Sequence, residues 1–231
     1  CARLKDKLAT LSAERVWAET RKLLGAPDPS RALLWMRQAG VLTQILPETE
    51  KWGIDAIHAL VAAEQALGWA PDSLLRLAAI VPPDEARLQA MADRLRVSNA
   101  DRLRLKQWAA APVLPDEVTD VGYKRLLYLN GEEGLAMRVR LALASTRMAA
   151  DGDPLAMRKT ARLSQLLAVA DAYQKPVFPL SGADVLAAGV PAGKRVGELL
   201  KQLEDFWISR NFLPGRADLA ARLKETIEVN G

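Results

Sequence analysis

The sequence predicts an all-α fold, an array of short helices with no substantial sheet. Three observations carry that reading. Apolar residues recur at three- and four-residue spacing through most of the chain, cap residues and glycine or proline stops punctuate them at intervals of a helix length, and no convincing alternating stretch of strand type appears. With 231 residues, 50% of them hydrophobic and 26% charged, the chain is long enough to bury roughly 70% of its unfolded surface.

In chain order, Ser12 caps a helix with Glu14 in the positive first turn and Val16, Thr20, Leu23 and Leu24 along one side, ending at Gly25. Asp28-Pro29 opens the next, built on Leu33, Leu34 and Met36 and stopped by a left-handed Gly40. A third spans residues 55–67 before Gly68, and Asp72 caps a fourth with Leu74, Leu75, Leu77, Ala78 and Ile80 inward. Pro82-Pro83 ends it by removing backbone donors. Asp84 to Leu95 repeats the spacing, and Ser98 begins a further helix, with Asp101 placed to complete a capping box.

Pro112 and Pro115 mark a loop that joins two helical subdomains. Beyond it, helices are expected near 117–130, 132–149 and 154–173, the last opened by Asp153-Pro154. Lys175-Pro176 to Pro179 forms an extended break, after which Val196, Leu199, Leu200, Leu203, Phe206 and Trp207 fall on one helical face.

Composition narrows function by exclusion. No apolar run approaches the roughly 18 residues of a membrane span, and the opening CARLKDKLAT is too charged for a signal peptide, so a cytoplasmic location is expected. The single Cys1 rules out an internal disulfide. The single His58 cannot supply the metal ligands of an HD-type phosphohydrolase or serve a serine or cysteine hydrolase, which also lacks its nucleophile-elbow glycines here. It reads as a structural histidine beside Ile57, Leu60 and Val61. Asp151-Gly152-Asp153 resembles a pair of metal-binding carboxylates, but Pro154 makes Asp153 a helix cap and Gly152 a terminator. No metal site is expected in this chain. The tryptophans mostly sit at helical spacing beside aliphatics, so core packing is the default reading, with surface stacking on RNA the lesser alternative for Trp52 and Trp69 near loop ends.

The formal charge of +4 is modest, but its distribution is not even. Residues 87 to 106 carry Arg87, Arg94, Arg96, Arg102, Arg104 and Lys106; residues 138 to 162 carry Arg138, Arg140, Arg147, Arg158, Lys159 and Arg162. Such runs are either solvated helix faces or a surface for a polyanion. Gly189-Val190-Pro191-Ala192-Gly193-Lys194-Arg195 invites a nucleotide-loop reading, which fails: three residues rather than four separate the glycines, Arg195 stands where a magnesium-binding hydroxyl is required, and no strand precedes it.

Three stretches in order, LSAERVWAETRKLLGAPDPSRALLWMRQAGVLTQILPE (Leu11 to Glu48), LRVSNADRLRL (Leu95 to Leu105) and PLSGADVLAAGVPAGKRVGELLKQLED (Pro179 to Asp205), resemble the C-terminal helical half of bacterial class II tRNA nucleotidyltransferases and poly(A) polymerases. The resemblance spans nearly the whole chain. It implies the end of a neck over 1–50, body helices over 51–112 and 113–174, and a tail with a glycine-rich turn over 175–231. Ser12, Glu14 and Arg15 are similar to the family's last neck motif, which buttresses the nucleotide pocket. Family members perform transfer in an N-terminal head that binds Mg2+ and CTP or ATP through a Gly-Ser loop and paired aspartates; neither these nor the neck's base-reading Glu-Asp-x-x-Arg motif occurs here. The chain, opening on Cys1, therefore reads as a fragment that is inactive alone. Whether the parent adds CCA, only A or a poly(A) tail is left open, CCA addition being the first expectation.

The remainder resembles the part that holds a tRNA acceptor arm, so tRNA or another structured RNA is the expected partner, with neither DNA nor membrane. A-form RNA hides its base edges in a deep major groove, so a protein accepting every tRNA contacts phosphates and 2′-hydroxyls. The candidate RNA-binding residues are Arg94, Arg96, Asn99, Arg102, Arg158, Lys159 and Arg162, together with Gly189, Gly193, Lys194 and Arg195 at a tight turn that exposes amides at a positive helix end. Relatives often carry proline where Lys194 stands, and the turn reads equally as a simple connection between packed helices. The rival reading for the whole chain is a non-enzymatic helical scaffold that binds protein partners.

Overall fold

The computed structural model describes Leu8 and residues 10–50, 53–115, 117–150 and 152–229. Cys1, Trp52 and Asp151 lie outside the described residues. Among those described, every regular element is a helix and no strand occurs. The first six helices are α1 (Ala13–Leu24), α2 (Ser30–Gln38), α3 (Leu42–Ile45), α4 (Ala56–Leu67), α5 (Ser73–Ile80) and α6 (Glu85–Arg94), with a 3-10 turn over Pro47–Thr49. Then follow α7 (Asn99–Ala110), α8 (Asp120–Asn130), α9 (Glu132–Ala149) and α10 (Pro154–Asp171). The tail contains α11 (Gly182–Ala187), α12 (Lys194–Ser209) and α13 (Arg216–Val229).

Side-chain caps set most of these boundaries by accepting from amides that a helix leaves unpaired. Ser12 accepts from Arg15 N, Asp72 from Leu74 N and Leu75 N, Asp84 from Arg87 N, and Asp153 from Leu155 N. Gly68 closes α4 in the left-handed region at φ 68°. Two caps differ in detail from the sequence expectation. Pro29 occupies the cap position of α2, while Asp28 Oδ1 accepts from Ser30 N at 2.9 Å. Ser98 caps α7 by accepting from Asp101 N at 3.2 Å, but the Asp101 carboxylate turns to Arg21 instead of closing a box.

Burial organises the array into three apolar clusters. The first joins α1, α2 and α4–α7 through residues such as Leu24, Leu33, Leu60, Leu77 and Met91. A second gathers Tyr123 and Leu127 of α8, Leu135, Val139 and Leu143 of α9, and Leu163 and Leu166 of α10. The third holds the tail, where Trp207 packs edge-on against Tyr128 of α8 at 5.7 Å and Phe178 at 5.4 Å. Arg125 of α8 donates to the Ser209 carbonyl at 2.7 Å, fastening α12 from the other side. No described helix is long and apolar enough to cross a membrane.

Two placements depart from the apolar pattern. His58 is exposed, because Ile57, Leu60, Val61 and Glu64 define the inner face of α4 and residue 58 lies about a quarter turn off it. Arg76, amid the leucines of α5, is wholly buried.

Candidate nucleic-acid interface

A groove of about 540 Å3 lies between α1 and the turn that joins α6 to α7. Its cations come from two distant parts of the sequence, Arg21 and Lys22 in the last turn of α1 and Arg96 in the α6–α7 turn; Glu14, Ser98 and Asp101 also line it. Arg21 Nη1 donates to Asp101 Oδ2 at 2.8 Å, locking α1 to the first turn of α7, yet its side chain stays half exposed. Lys22 faces solvent.

Arg96 reaches the groove through an unusual backbone. It sits at φ 54°, where Val97 N donates back to the Ala92 carbonyl at 2.9 Å and reverses the chain after α6. Left-handed backbone at a bulky residue is costly. The exposed side chain makes no hydrogen bond or ion pair among the described residues.

Other sequence-predicted cations hold the protein together. Arg94 Nη2 grips both oxygens of Glu48, at 2.9 and 3.0 Å, while its Nη1 donates to the Ile45 carbonyl at 2.7 Å, tying α6 to α3. Arg102 pairs with Asp93 and donates to the Ala92 carbonyl; this contact, with Gln89, holds the Asp93 carboxyl below its usual value. Arg104 bridges Asp72 and Glu133. Burial opposes ionisation of Asp72, but Arg104 and the cap amides outweigh it, so the carboxyl again sits low. Lys106 lies 3.4 Å from Glu85, and Arg87 lies 3.8 Å from Asp84. Asn99 is exposed at the first position of α7.

On α10, Arg158 is exposed, whereas Arg162 pairs with Asp120 at 2.6 Å and donates from Nε and Nη2 to the Val118 carbonyl. Lys159 is exposed one residue away from Arg158. In the tail, Gly189 at φ 93° and Gly193 at φ 154° bracket the turn into α12, whose first amides have no side-chain cap. Lys194, nearly fully exposed, lies 3.4 Å from Glu198, and Arg195 is exposed beside it. The structure thus brings Glu14, Arg96 and Ser98 together with Arg21 and Lys22, while the α10 cations and the glycine turn sit on other packing units. Ser12 and Arg15 are exposed at the start of α1, next to the groove's Glu14.

Spacing alone misplaced Trp35. In the run Leu33-Leu34-Trp35-Met36 only Leu33 goes fully inward; Trp35 is 57% exposed, with the Arg31 guanidinium 4.6 Å above its ring. An exposed ring backed by arginine is a stacking surface for an unpaired base. Trp69, for which the sequence makes stacking the lesser alternative to core packing, is partly buried beneath Arg140 at 5.7 Å. No group of three or more potential metal ligands occurs among the described residues.

Residues 1–52, which contain α1, α2, Arg21, Lys22 and Trp35, match the family model described as "Probable RNA and SrmB- binding site of polymerase A". A "Multifunctional CCA protein" of Vibrio vulnificus is 34% identical over 128 residues, covering 42% of this chain and 31% of the relative. Its counterpart in Vibrio cholerae is 33% identical over 128 residues, covering 42% and 32%. One from Vibrio parahaemolyticus is 40% identical over 87 residues, covering 32% and 21%. The matched region thus spans about a third of the length of the first two relatives. Over these stretches the chain is similar to part of the CCA proteins and to an RNA-binding region of poly(A) polymerase.

Proposed function

We propose that this chain is the RNA-holding portion of a tRNA nucleotidyltransferase or polynucleotide adenylyltransferase, with the acceptor arm of tRNA as its ligand. The observation that carries the reading is the groove in which Arg21 and Lys22, from the segment similar to an RNA-binding region, converge with Arg96. A phosphate backbone needs no base-specific partner, only cations at suitable spacing and freedom to approach. Arg96 and Lys22 have that freedom. Arg158, Lys194 and Trp35 with Arg31 add exposed contacts for a longer RNA. Nucleotide transfer, with its Mg2+ and CTP or ATP, belongs in this reading to a head whose motifs the chain lacks. The protein acts in the cytoplasm, where its RNA is made.

The test is tRNA binding across a salt titration. Four to six phosphate contacts give a log-log slope of about −3 to −5, with duplex DNA of equal length bound more weakly. Absence of tRNA binding, or binding insensitive to salt, overturns the reading in favour of a scaffold for protein partners. Incorporation of CTP or ATP by the purified chain would refute its inactivity.

A further inference from the structure

The tail packs on itself before it packs on anything else. Every buried member of its apolar cluster belongs to residues 180–223, and of α1–α10 the one described residue packed against it is Tyr128. Tyr128 is half buried near the end of α8, yet it gathers most of the docking. Its ring meets Trp207 edge-on and Phe212 at 5.2 Å, its hydroxyl donates to Glu204 Oε1, and Lys175 Nζ stands 5.0 Å from its ring centre. Arg125, one turn earlier, adds its hydrogen bonds to the Ser209 carbonyl and Asn211 Oδ1. A surface made of one ring, one hydroxyl and one guanidinium on a single helix is small and half polar. Units that meet through so limited a surface move relative to each other unless the connection between them is stiff.

The connection is stiff everywhere except at one point. From Gln174 to Leu180 no backbone group takes part in a backbone hydrogen bond among the described residues. The two ends of this segment are held to opposite sides. Lys175 lies on Tyr128 of α8, whereas Phe178 packs on Trp207 at 5.4 Å and the Pro179 carbonyl accepts from Arg216 Nη1 at 2.8 Å, both in the tail. Proline fixes φ at Pro176 and Pro179 and restricts the residues before them, Lys175 and Phe178. Rotation is left to ψ of Pro176 and to Val177, whose side chain is 86% exposed, more than any other large apolar residue described. A hinge needs only a few such positions to absorb a change of backbone angle.

We propose that the tail is a hinged arm: α11–α13 swing as one body about Pro176-Val177, and Tyr128 is the latch that holds the arm where it lies. Swinging changes the separation between Lys194 on the arm and Arg158 on α10, so the latch sets the span offered to a ligand that touches both. The hinge itself does not rest on the RNA reading of those cations.

Distances between paired spin labels, measured by pulsed electron resonance in the whole chain carrying Cys1→Ser, test it. One pair of exposed sites crosses the hinge, Ser164→Cys on α10 with Lys201→Cys on α12; the other stays within the arm, Lys201→Cys with Lys224→Cys on α13. With Tyr128 in place, both pairs should give one narrow peak. Tyr128→Ala should lose the narrow cross-hinge peak to a broad distribution and keep the narrow peak within the arm. Tyr128→Phe, which retains the ring and loses Glu204, should show an intermediate width. A cross-hinge peak as narrow in Tyr128→Ala as in the wild type would overturn the proposal, and so would broadening of both pairs, because the tail then melts instead of swinging. Should Tyr128→Ala fail to fold, Arg125→Met combined with Glu204→Gln, which spares the aromatic packing, takes its place with the same two overturning results.

Discussion

Arg76 Nη2 and Glu64 Oε2 meet at 2.6 Å with the two side chains only 1% and 3% exposed. Arg76 Nε also donates to Glu64, and its two Nη atoms reach the carbonyls of Leu24, Ala26 and Pro27, so one residue of α5 closes the end of α1 and the link to α2. This residue fixes the α1 side of the groove without touching it. Removing one member of a buried ion pair strands the other charge, so Arg76→Met should destabilise the protein by about 3–5 kcal/mol in urea unfolding. Arg76→Met combined with Glu64→Leu should recover the part of that loss due to the stranded carboxylate, but not the part due to the three carbonyls left without a donor.

Arg96 separates backbone cost from side-chain use. Glycine takes its left-handed conformation freely, so Arg96→Gly should preserve stability or raise it by up to about 1 kcal/mol. The same change should weaken tRNA binding and reduce the salt slope by about one. Unchanged affinity in this variant would remove the groove from the RNA-binding surface.

Gly134 lies where α9 touches α7. A Cβ there would stand 2.1 Å from the Gln107 carbonyl oxygen, against backbone that cannot rotate away. Gly134→Ala should therefore cost about 2–3 kcal/mol in chemical denaturation. A loss under about 0.5 kcal/mol would show that the two helices are not in this contact.

Tyr123 gives the protein an alkaline limit. Burial, with a smaller contribution from Asp171, pushes its hydroxyl up to about 12, and the hydroxyl has no hydrogen-bond partner among the described residues. A pKa raised by folding contributes stability that is whole below the unfolded value of about 10 and is lost as pH rises through the folded value. Tyr123→Phe should match or exceed the wild type at pH 9 and lose less stability between pH 9 and 11. Asp72 works in the opposite direction: its lowered pKa contributes stability above about pH 4 that disappears as acid protonates it, and Asp72→Asn should flatten that limb.

Local chemistry was legible in the sequence because it acts within a turn. Ser12, Asp72, Ser98 and Asp153 cap helices as their spacing requires, and Gly40 and Gly68 adopt the left-handed stop. The four-residue α3 was not legible, since so short a helix has no periodicity, nor was the break before α13, where Asn211 and Phe212 take positive φ without glycine. Long-range pairing was equally hidden. Arg94 and Glu48 are 46 residues apart, and Arg162 and Asp120 are 42 apart. A charge run records where cations are in the chain, not which carboxylate the fold delivers to them. Arg96 was found by the run, but its lack of an ion pair among the described residues became visible only when the turn was built.

Helix α9 belongs to two interiors at once. It sends Met137 and Ala144 into one apolar cluster and Leu135, Val139 and Leu143 into the other. Neither cluster can melt alone without stripping the wall it shares with its neighbour, so this part of the protein should come apart in a single calorimetric step.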